Sequence, residues 1–414
     1  MFTEERATVG PRILGTGPWS PLRRPVFRAL WMATLISNIG TWMQSTAAAW
    51  LMASIAPDAL MVSMVQTAVS LPIFLLALPA GALADTFDRR RLILFTQCWM
   101  LSSAALLGIL TVMDWTTPWV LLLLTLLLGL GTALNAPAWQ AMVPELVEPP
   151  QIPSAVALNS ANFNIARSVG PALSGVVIGA AGFGAAFLIN AATYVGVICV
   201  LLMWHSPRRP VNPQGRQVLG SIRDGFEFVV HSPVMRAVVS RTAAFTVGAS
   251  SLMALLPLLA KRELGLDSVH YGLLVGSFGA GAVAGALALP AFRRRATVDS
   301  VVTVATILFA AVLSTLSIFR QFPVLCAVLI LGGAAWLALL SNLNSTVQIS
   351  VPSRIRGRAL ATYMLVFFGG MAGGSLLWGA VASHMGVQRT LVCSSAALLL
   401  GLLITFRFRF RSSA

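Results

Sequence analysis

The chain has 414 residues, 57% hydrophobic and only 10% charged, with a formal net charge of +15. Soluble globular domains carry roughly 25% charged residues, so a water-soluble fold is excluded and lipid must be the solvent for most of the chain. The positive charge invites a nucleic-acid reading, which the placement of the arginines removes.

Residues 1–27 are polar, contain no apolar leader segment, and read as a cytoplasmic N-terminal tail. A bilayer-crossing helix needs roughly 20 apolar residues. Twelve such stretches follow: 28–52, 61–84, 91–113, 118–139, 155–180, 183–204, 237–260, 271–291, 298–319, 322–343, 359–382 and 387–407. Helices satisfy their own backbone in hydrocarbon, and these runs are too long and too uniformly apolar for barrel strands. The expected fold is all-α and integral to the membrane, with twelve transmembrane helices in two pseudo-symmetric six-helix bundles, 28–204 and 237–407. Between them, 205–236 reads as a cytoplasmic linker with Pro207, Pro210, Pro213 and Gly215, then an amphipathic piece over 222–230 that lies on the membrane surface. Residues 408–414 form a cytoplasmic tail.

The halves echo each other. Residues 80–91 (AGALADTFDRRR) and 284–295 (AGALALPAFRRR) agree at eight of twelve positions, at an offset of 204. Gln140 to Pro144 is echoed by Gln348 to Pro352 at an offset of 208. One unit of about 205 residues is used twice. Six spans per unit return the chain to its starting side, the layout of a transporter with parallel repeats.

With both termini cytoplasmic, 22 of the 28 basic residues fall on inside segments and four on outside loops. The other two, Arg167 and Arg241, lie within spans. This bias accounts for the charge without nucleic acid. Cys98, Cys199, Cys326 and Cys393 sit singly in apolar stretches, so no disulfide, metal or cofactor is expected. Lys261 is the only lysine, so no phosphate-binding G-x-x-x-x-G-K-[ST] loop exists. Without H-E-x-x-H, C-x-x-C, G-x-S-x-G or a mid-span acid pair, an enzyme has nothing to work with.

The segment from Gly81 through Leu83, Asp85, Arg89 and Arg90 resembles the signature between spans two and three of the major facilitator superfamily, with Thr86 and Asp88 departing from its pattern. In that superfamily the motif latches the two halves in the outward-facing state, which implies that role for Gly81, Asp85, Arg89 and Arg90. Leu289 stands where a second Asp85 would be, so only the first copy is acidic. Arg167, Gly170, Pro171, Ser174 and Gly175 resemble the G-P-x-x-G-G element of the superfamily's exporters, with Ser174 departing from it. Pro171 frees a carbonyl and kinks the helix, while Gly170 and Gly175 allow close packing. Asn135-Ala-Pro137, Pro144-Glu145, Asn159 and Arg356-Gly357-Arg358 extend the likeness to the enterobactin-exporter branch. That resemblance implies a secretion carrier of the cytoplasmic (inner) membrane.

Polar stripes suggest a path. Asn38, Thr41 and Ser45 share a face of span one; Thr242 and Thr246 recur in span seven; Asn344 and Gln348 in span ten. The resemblance implies that spans one, four, seven and ten line a central cavity, and Asn135 and Asn164 join that candidate set. Inter-helix hydrogen bonding is the other reading of such stripes. Arg167 and Arg241 each need an anionic or carbonyl partner. Arg167 either lends the cavity a preference for anions or is structural, bonded to carbonyls freed by Pro171, to Asp85 or to Glu145. All thirteen acids fall in loops or at span ends, which disfavours cationic substrates. Proton coupling would rest on Asp85, Glu145 or an ionisable substrate.

The expected function is a monomeric secondary transporter, exporting a small siderophore-like, anionic or neutral molecule by alternating access. A multidrug or antibiotic efflux pump, and a non-transporting sensor or scaffold, remain open alternatives.

Overall fold

The computed structural model describes residues 17–56, 58–204, 231–293, 297–352 and 355–408. Among these residues the structure is entirely helical. A 3-10 turn at Ser20–Arg23 leads into α1 (Pro25–Ile55), α2 (Ala59–Thr86), α3 (Arg89–Val112) and α4 (Pro118–Met142). The segment Ile152–Met203 breaks at Gly182 into α5 (152–181) and α6 (183–203). Then come α7 (Pro233–Leu258), prolonged by a π turn at Leu259–Glu263, α8 (Ser268–Arg293) and α9 (Val298–Ile318). The last three are α10 (Phe322–Ser350), α11 (Arg356–Met385) and α12 (Val387–Thr405).

Local chemistry sets these ends. Asp88, Thr117, Ser232 and Thr297 each accept a hydrogen bond from the backbone N–H three residues on, the usual helix N-cap. Proline opens α1, α4 and α7, where its missing N–H costs nothing. Gly182 and Gly386 turn the chain between α5 and α6 and between α11 and α12, both at φ 81°. A side chain is strained at that φ. The two glycines stand 204 residues apart, the offset of the sequence repeat.

Among the described residues, ten stretches of helix have the length and hydropathy to cross a membrane. Two features account for the difference from twelve expected spans. α1 is not among the ten, its apolar character diluted by Ser37, Asn38, Thr41, Gln44, Ser45 and Thr46. Residues 149–203 form one continuous stretch because helix resumes directly after Gly182. Exposed side chains such as Leu123, Leu287, Val304 and Leu403 are large and apolar, as a lipid-facing surface requires.

The packing repeats like the sequence. α1 lies on α5, as α7 lies on α11. α2 packs on α4 and α3 on α4, as α8 packs on α10 and α9 on α10. Between the halves, α5 meets α8 and α2 meets α11, contacts that exchange under the same repeat. The seam is close. A Cβ at Gly272 would stand 2.5 Å from the Pro171 carbonyl oxygen, and one at Gly279 would stand 2.6 Å from that of Arg167. The Ser268 hydroxyl donates to the Gly175 carbonyl at 3.1 Å, and the Thr67 hydroxyl to the Ala372 carbonyl at 3.1 Å. These contacts join α5 to α8 from mid-helix to the C-terminal part of α5 and the N-terminal part of α8, and the N-terminal part of α2 to the middle of α11. They run from mid-helix toward the end that carries the α1–α2 and α7–α8 connections.

The amphipathic piece at 222–230 and most of the linker fall outside the described residues, as do residues 1–16 and 409–414.

Candidate functional site: a guanidinium between two rings

Arg167 is placed by the proline one turn after it. Pro171 has no N–H to give the carbonyl four residues back, and that carbonyl belongs to Arg167 itself. Gly279 of α8 packs directly beside it. On the other side Gly170 brings α5 against α1, where a Cβ would meet the Trp42 side chain at 2.6 Å. The result holds the Arg167 guanidinium 5.8 Å from the ring centre of Trp42 and 5.1 Å from that of Phe278. One ring comes from each half of the chain. Among the described residues no hydrogen bond or ion pair reaches this half-buried cation; its neighbours are rings.

Those rings belong to a longer series. Phe163, exposed on the same face of α5 one turn away, meets Trp42 edge-on at 5.7 Å. Phe278 touches Phe309 and Trp336, and Trp336 touches Phe367. Sequence reasoning missed Trp42, Phe163, Phe278, Trp336 and Phe367. An aromatic in an apolar span looks the same whether it faces lipid, core or cavity, so no signal marked them.

The remaining candidate residues separate. Asn164 donates to the Ser160 carbonyl at 2.8 Å on the Arg167 face of α5, and Gln348 donates to Asn344 at 2.5 Å on an accessible face of α10. The α1 stripe turns elsewhere. Asn38 donates to Asn162 at 2.9 Å, Thr41 bonds the Ser37 carbonyl and the Tyr194 hydroxyl, and Ser45 donates to the Thr41 carbonyl. This is the joint of α1 with α5 and α6. Asn135 accepts from Thr96 at 2.9 Å, tying α4 to α3. Asn38, Thr41 and Asn135 are thus satisfied between helices and Ser45 within its own, as hydrocarbon surroundings demand.

Arg241, Thr242 and Thr246 lie buried inside the second half in this structure. Thr242 and Thr246 are fully buried and donate to the Val238 and Thr242 carbonyls of their own helix. Arg241, 3% exposed, pairs with Asp299 at the start of α9 at 2.6 Å. A small pocket beside the pair, lined by Phe245, Thr306 and Leu402 among others, lies between α7, α9 and α12. Asp299→Asn is expected to lower the folded protein recovered from membranes, by the ~3 kcal/mol typical of breaking a buried pair from one side. Arg241→Gln in the same chain should restore part of that loss, as thermal unfolding in detergent would register.

At the candidate latch, Asp88 caps α3 and the arginines after it serve the first half. Arg89 donates to the Ala141 carbonyl at 3.0 Å and pairs with Glu145 at 2.5 Å. Glu145 is thus engaged by Arg89. Arg90 donates to the Leu201 and Leu202 carbonyls at 2.7 and 3.0 Å, a cation at the C-terminus of α6 where the helix dipole favours it. Gly81 lies on α2 with no neighbour within 4 Å of where a Cβ would stand. The side chain of Asp85 lies outside the described residues.

The opposite end carries a cluster that joins the halves. Trp50 of α1 stacks on Tyr271 of α8 at 4.7 Å. Lys261 sits 5.3 Å over Trp50 and donates to Ser54. Asp267 caps the start of α8 through the His270 N–H, and that bond and the His270 ring hold its carboxyl below the usual range. Lys261→Gln and Trp50→Leu remove a cation–π contact of ~1 kcal/mol. Each variant is expected to lengthen the distances across this end by electron spin resonance between paired labels; unchanged distances would mean the cluster does not hold it closed.

The fold agrees with solved transporters. A bacterial homologue of the human lysosomal transporter Spinster superposes with a TM-score of 0.76, at 14% identity, over 95% of this chain and 99% of that one. The nucleoside transporter NupG superposes at 0.75, with 14% identity, over 93% and 100%. The Staphyloferrin A transporter of Staphylococcus aureus is 26% identical over 357 residues, 85% of this chain and 88% of that one. The multidrug efflux pump Tap of Mycolicibacterium fortuitum is 24% identical over 392 residues, 92% and 95% of the two chains. The sequence profile of the transmembrane secretion effectors matches residues 16–414. With that match spanning nearly every residue, the chain belongs to the transmembrane secretion effectors of the major facilitator superfamily, and it is a transporter rather than an enzyme.

Proposed function

We propose that this transporter exports a small organic anion across the cytoplasmic membrane by alternating access. The observation that carries the reading is Arg167. A cation at mid-membrane depth is costly and calls for an anionic partner. Here the guanidinium contacts rings and has no carboxylate partner among the described residues. A substrate acid group supplies what the protein does not.

The architecture that supports this reading is two six-helix bundles with twelve crossings, counting α1 and dividing 152–203 at Gly182. The repeated packing partners and the paired glycine turns favour it. The arginine bias favours both termini in the cytoplasm. The α1–α2 and α7–α8 connections then lie outside, so the seam contacts close the outer end and the cavity opens inward. The substrate enters from the cytoplasm, meets Arg167, and leaves when the halves rock apart outside. In the opposite state Gly81, Asp85, Arg89 and Arg90 would latch the inner end. The carrier works as a monomer. A proton enters the cycle, where it does, through Asp85, Glu145 or the substrate itself.

A siderophore-like carboxylate is one cargo the Staphyloferrin A relative suggests. Multidrug efflux is the second reading, favoured by the aromatic lining around Trp42 and Phe163 and by likeness to Tap. Comparing small molecules inside cells and in the medium, with and without this gene, decides between them. Retention of an anionic metabolite in the deletion strain supports export. A changed sensitivity to added toxic compounds, with no metabolite displaced, replaces it with drug efflux.

A further inference from the structure

We infer that Arg167 and Phe278 form a bridge between the halves that a bound anion releases, so that cargo itself permits the outer end to open. The inference rests on the anion reading of Arg167 and adds the step that couples binding to movement.

Arg167 belongs to α5 and Phe278 to α8, and the cation lies 5.1 Å from the ring centre. Immediately beside that contact, Gly279 seats the α8 backbone against the Arg167 carbonyl. The bridge therefore lies on the α5–α8 seam itself, at mid-helix. Its second ring, Trp42, is on α1 in the same half as Arg167, so that contact survives when the halves part. Only the Phe278 contact depends on the state of the transporter. Phe278 is also firmly held. It is 1% exposed and packed on Phe309 and Trp336, so it cannot follow Arg167 outward.

The physics gives the coupling a sign. A cation attracts a ring face through its net positive charge. An anion on the guanidinium cancels most of that field, so the bridge is strong when the site is empty and weak when it is loaded. A ligand shifts a conformational equilibrium only through a difference in its interaction with the two states. Here the difference is the Phe278 contact, lost on outward opening and already weakened by cargo. The empty transporter stays closed outside; the loaded one opens. That is the rule an exporter needs to avoid opening outward without cargo. Phe278 acts here as a positioning residue, through Arg167.

Lys261 provides the readout. As the only lysine in the chain, it is the one side-chain amine an impermeant N-hydroxysuccinimide ester can label from outside intact cells. It sits in the cross-half cluster with Trp50 and Ser54, so its labelling rate reports outer opening. Lys261→Arg supplies the blank. Arg167→Met and Phe278→Leu are each expected to speed labelling about fivefold, the scale of one cation–π contact. The double variant should be no faster than either single, because both remove the same bridge. Millimolar benzoate should speed labelling of the unmodified protein, while neutral benzamide does not, and benzoate should leave both variants unchanged. Additive effects in the double variant overturn the bridge yet leave the anion reading standing. Benzoate acceleration that survives in Phe278→Leu overturns the coupling. Loss of anion export in Arg167→Gln tests the underlying reading separately, in the deletion strain.

Discussion

Arg167→Gln is expected to cut export of the anionic cargo sharply while leaving the amount of transporter in the membrane unchanged or raised. A charge-assisted hydrogen bond between guanidinium and acid group contributes about 1.5–3 kcal/mol, so the variant should lose roughly 10- to 100-fold in transport at limiting substrate. Its stability moves the other way. Removing a half-buried cation relieves a desolvation cost, and the loss of two ring contacts offsets only part of that gain. A structural arginine would give the reverse pattern, with abundance falling and the surviving molecules transporting normally. Arg167→Lys separates charge from shape. Lysine keeps the positive charge but loses the planar fork that matches a carboxylate, so it should recover part of the transport. Membrane abundance by immunoblot and cargo in the medium, read from the same cultures, check both arms.

Much of the fold was legible because hydrocarbon makes strict demands on sequence. The sixth expected span begins at 183, directly after the break at Gly182, and the twelfth at 387, directly after Gly386. Length and apolarity reveal such segments because no other structure satisfies a backbone in lipid. The same strictness hid the site. Every polar side chain inside a membrane needs a partner, so a polar stripe looks alike whether it faces a cavity or a neighbouring helix. Asn38 and Thr41 were candidates for the path, and they bond Asn162 and Tyr194. Arg241 and Asp299 are 58 positions apart in sequence, toward the N-terminal ends of α7 and α9. Only the packing of α7 on α9 shows that they meet. Arg167 stood out because a mid-span cation with no acid at its depth is conspicuous in any sequence. The rings that hold it did not stand out, since aromatic residues are common throughout these spans.

Glycines divide by what they touch, and this division predicts two opposite outcomes from one kind of substitution. Gly281 and Gly333 lie where α8 and α10 cross within the second half. A Cβ at Gly281 would fall on the Ile330 carbonyl, and one at Gly333 on that of Phe278. Backbone has nowhere to go, and the contact is present throughout the transport cycle. Gly281→Val or Gly333→Val therefore costs ~3 kcal/mol or more, and little folded transporter should reach the membrane. Gly272 and Gly279 lie as close to backbone, but the backbone belongs to α5, across the seam. Rocking removes that neighbour. Gly272→Val and Gly279→Val thus penalise only the state closed outside, and the molecule escapes by opening. A bias of even ~2 kcal/mol shifts the two states about 30-fold. Such variants should be present at near-normal abundance, label rapidly at Lys261 without added anion, and export poorly because they no longer offer the site to the cytoplasm. If Gly279→Val is instead lost from the membrane as completely as Gly281→Val, the α5–α8 seam is permanent core. A transporter whose halves cannot part there cannot work by the rocking argued above.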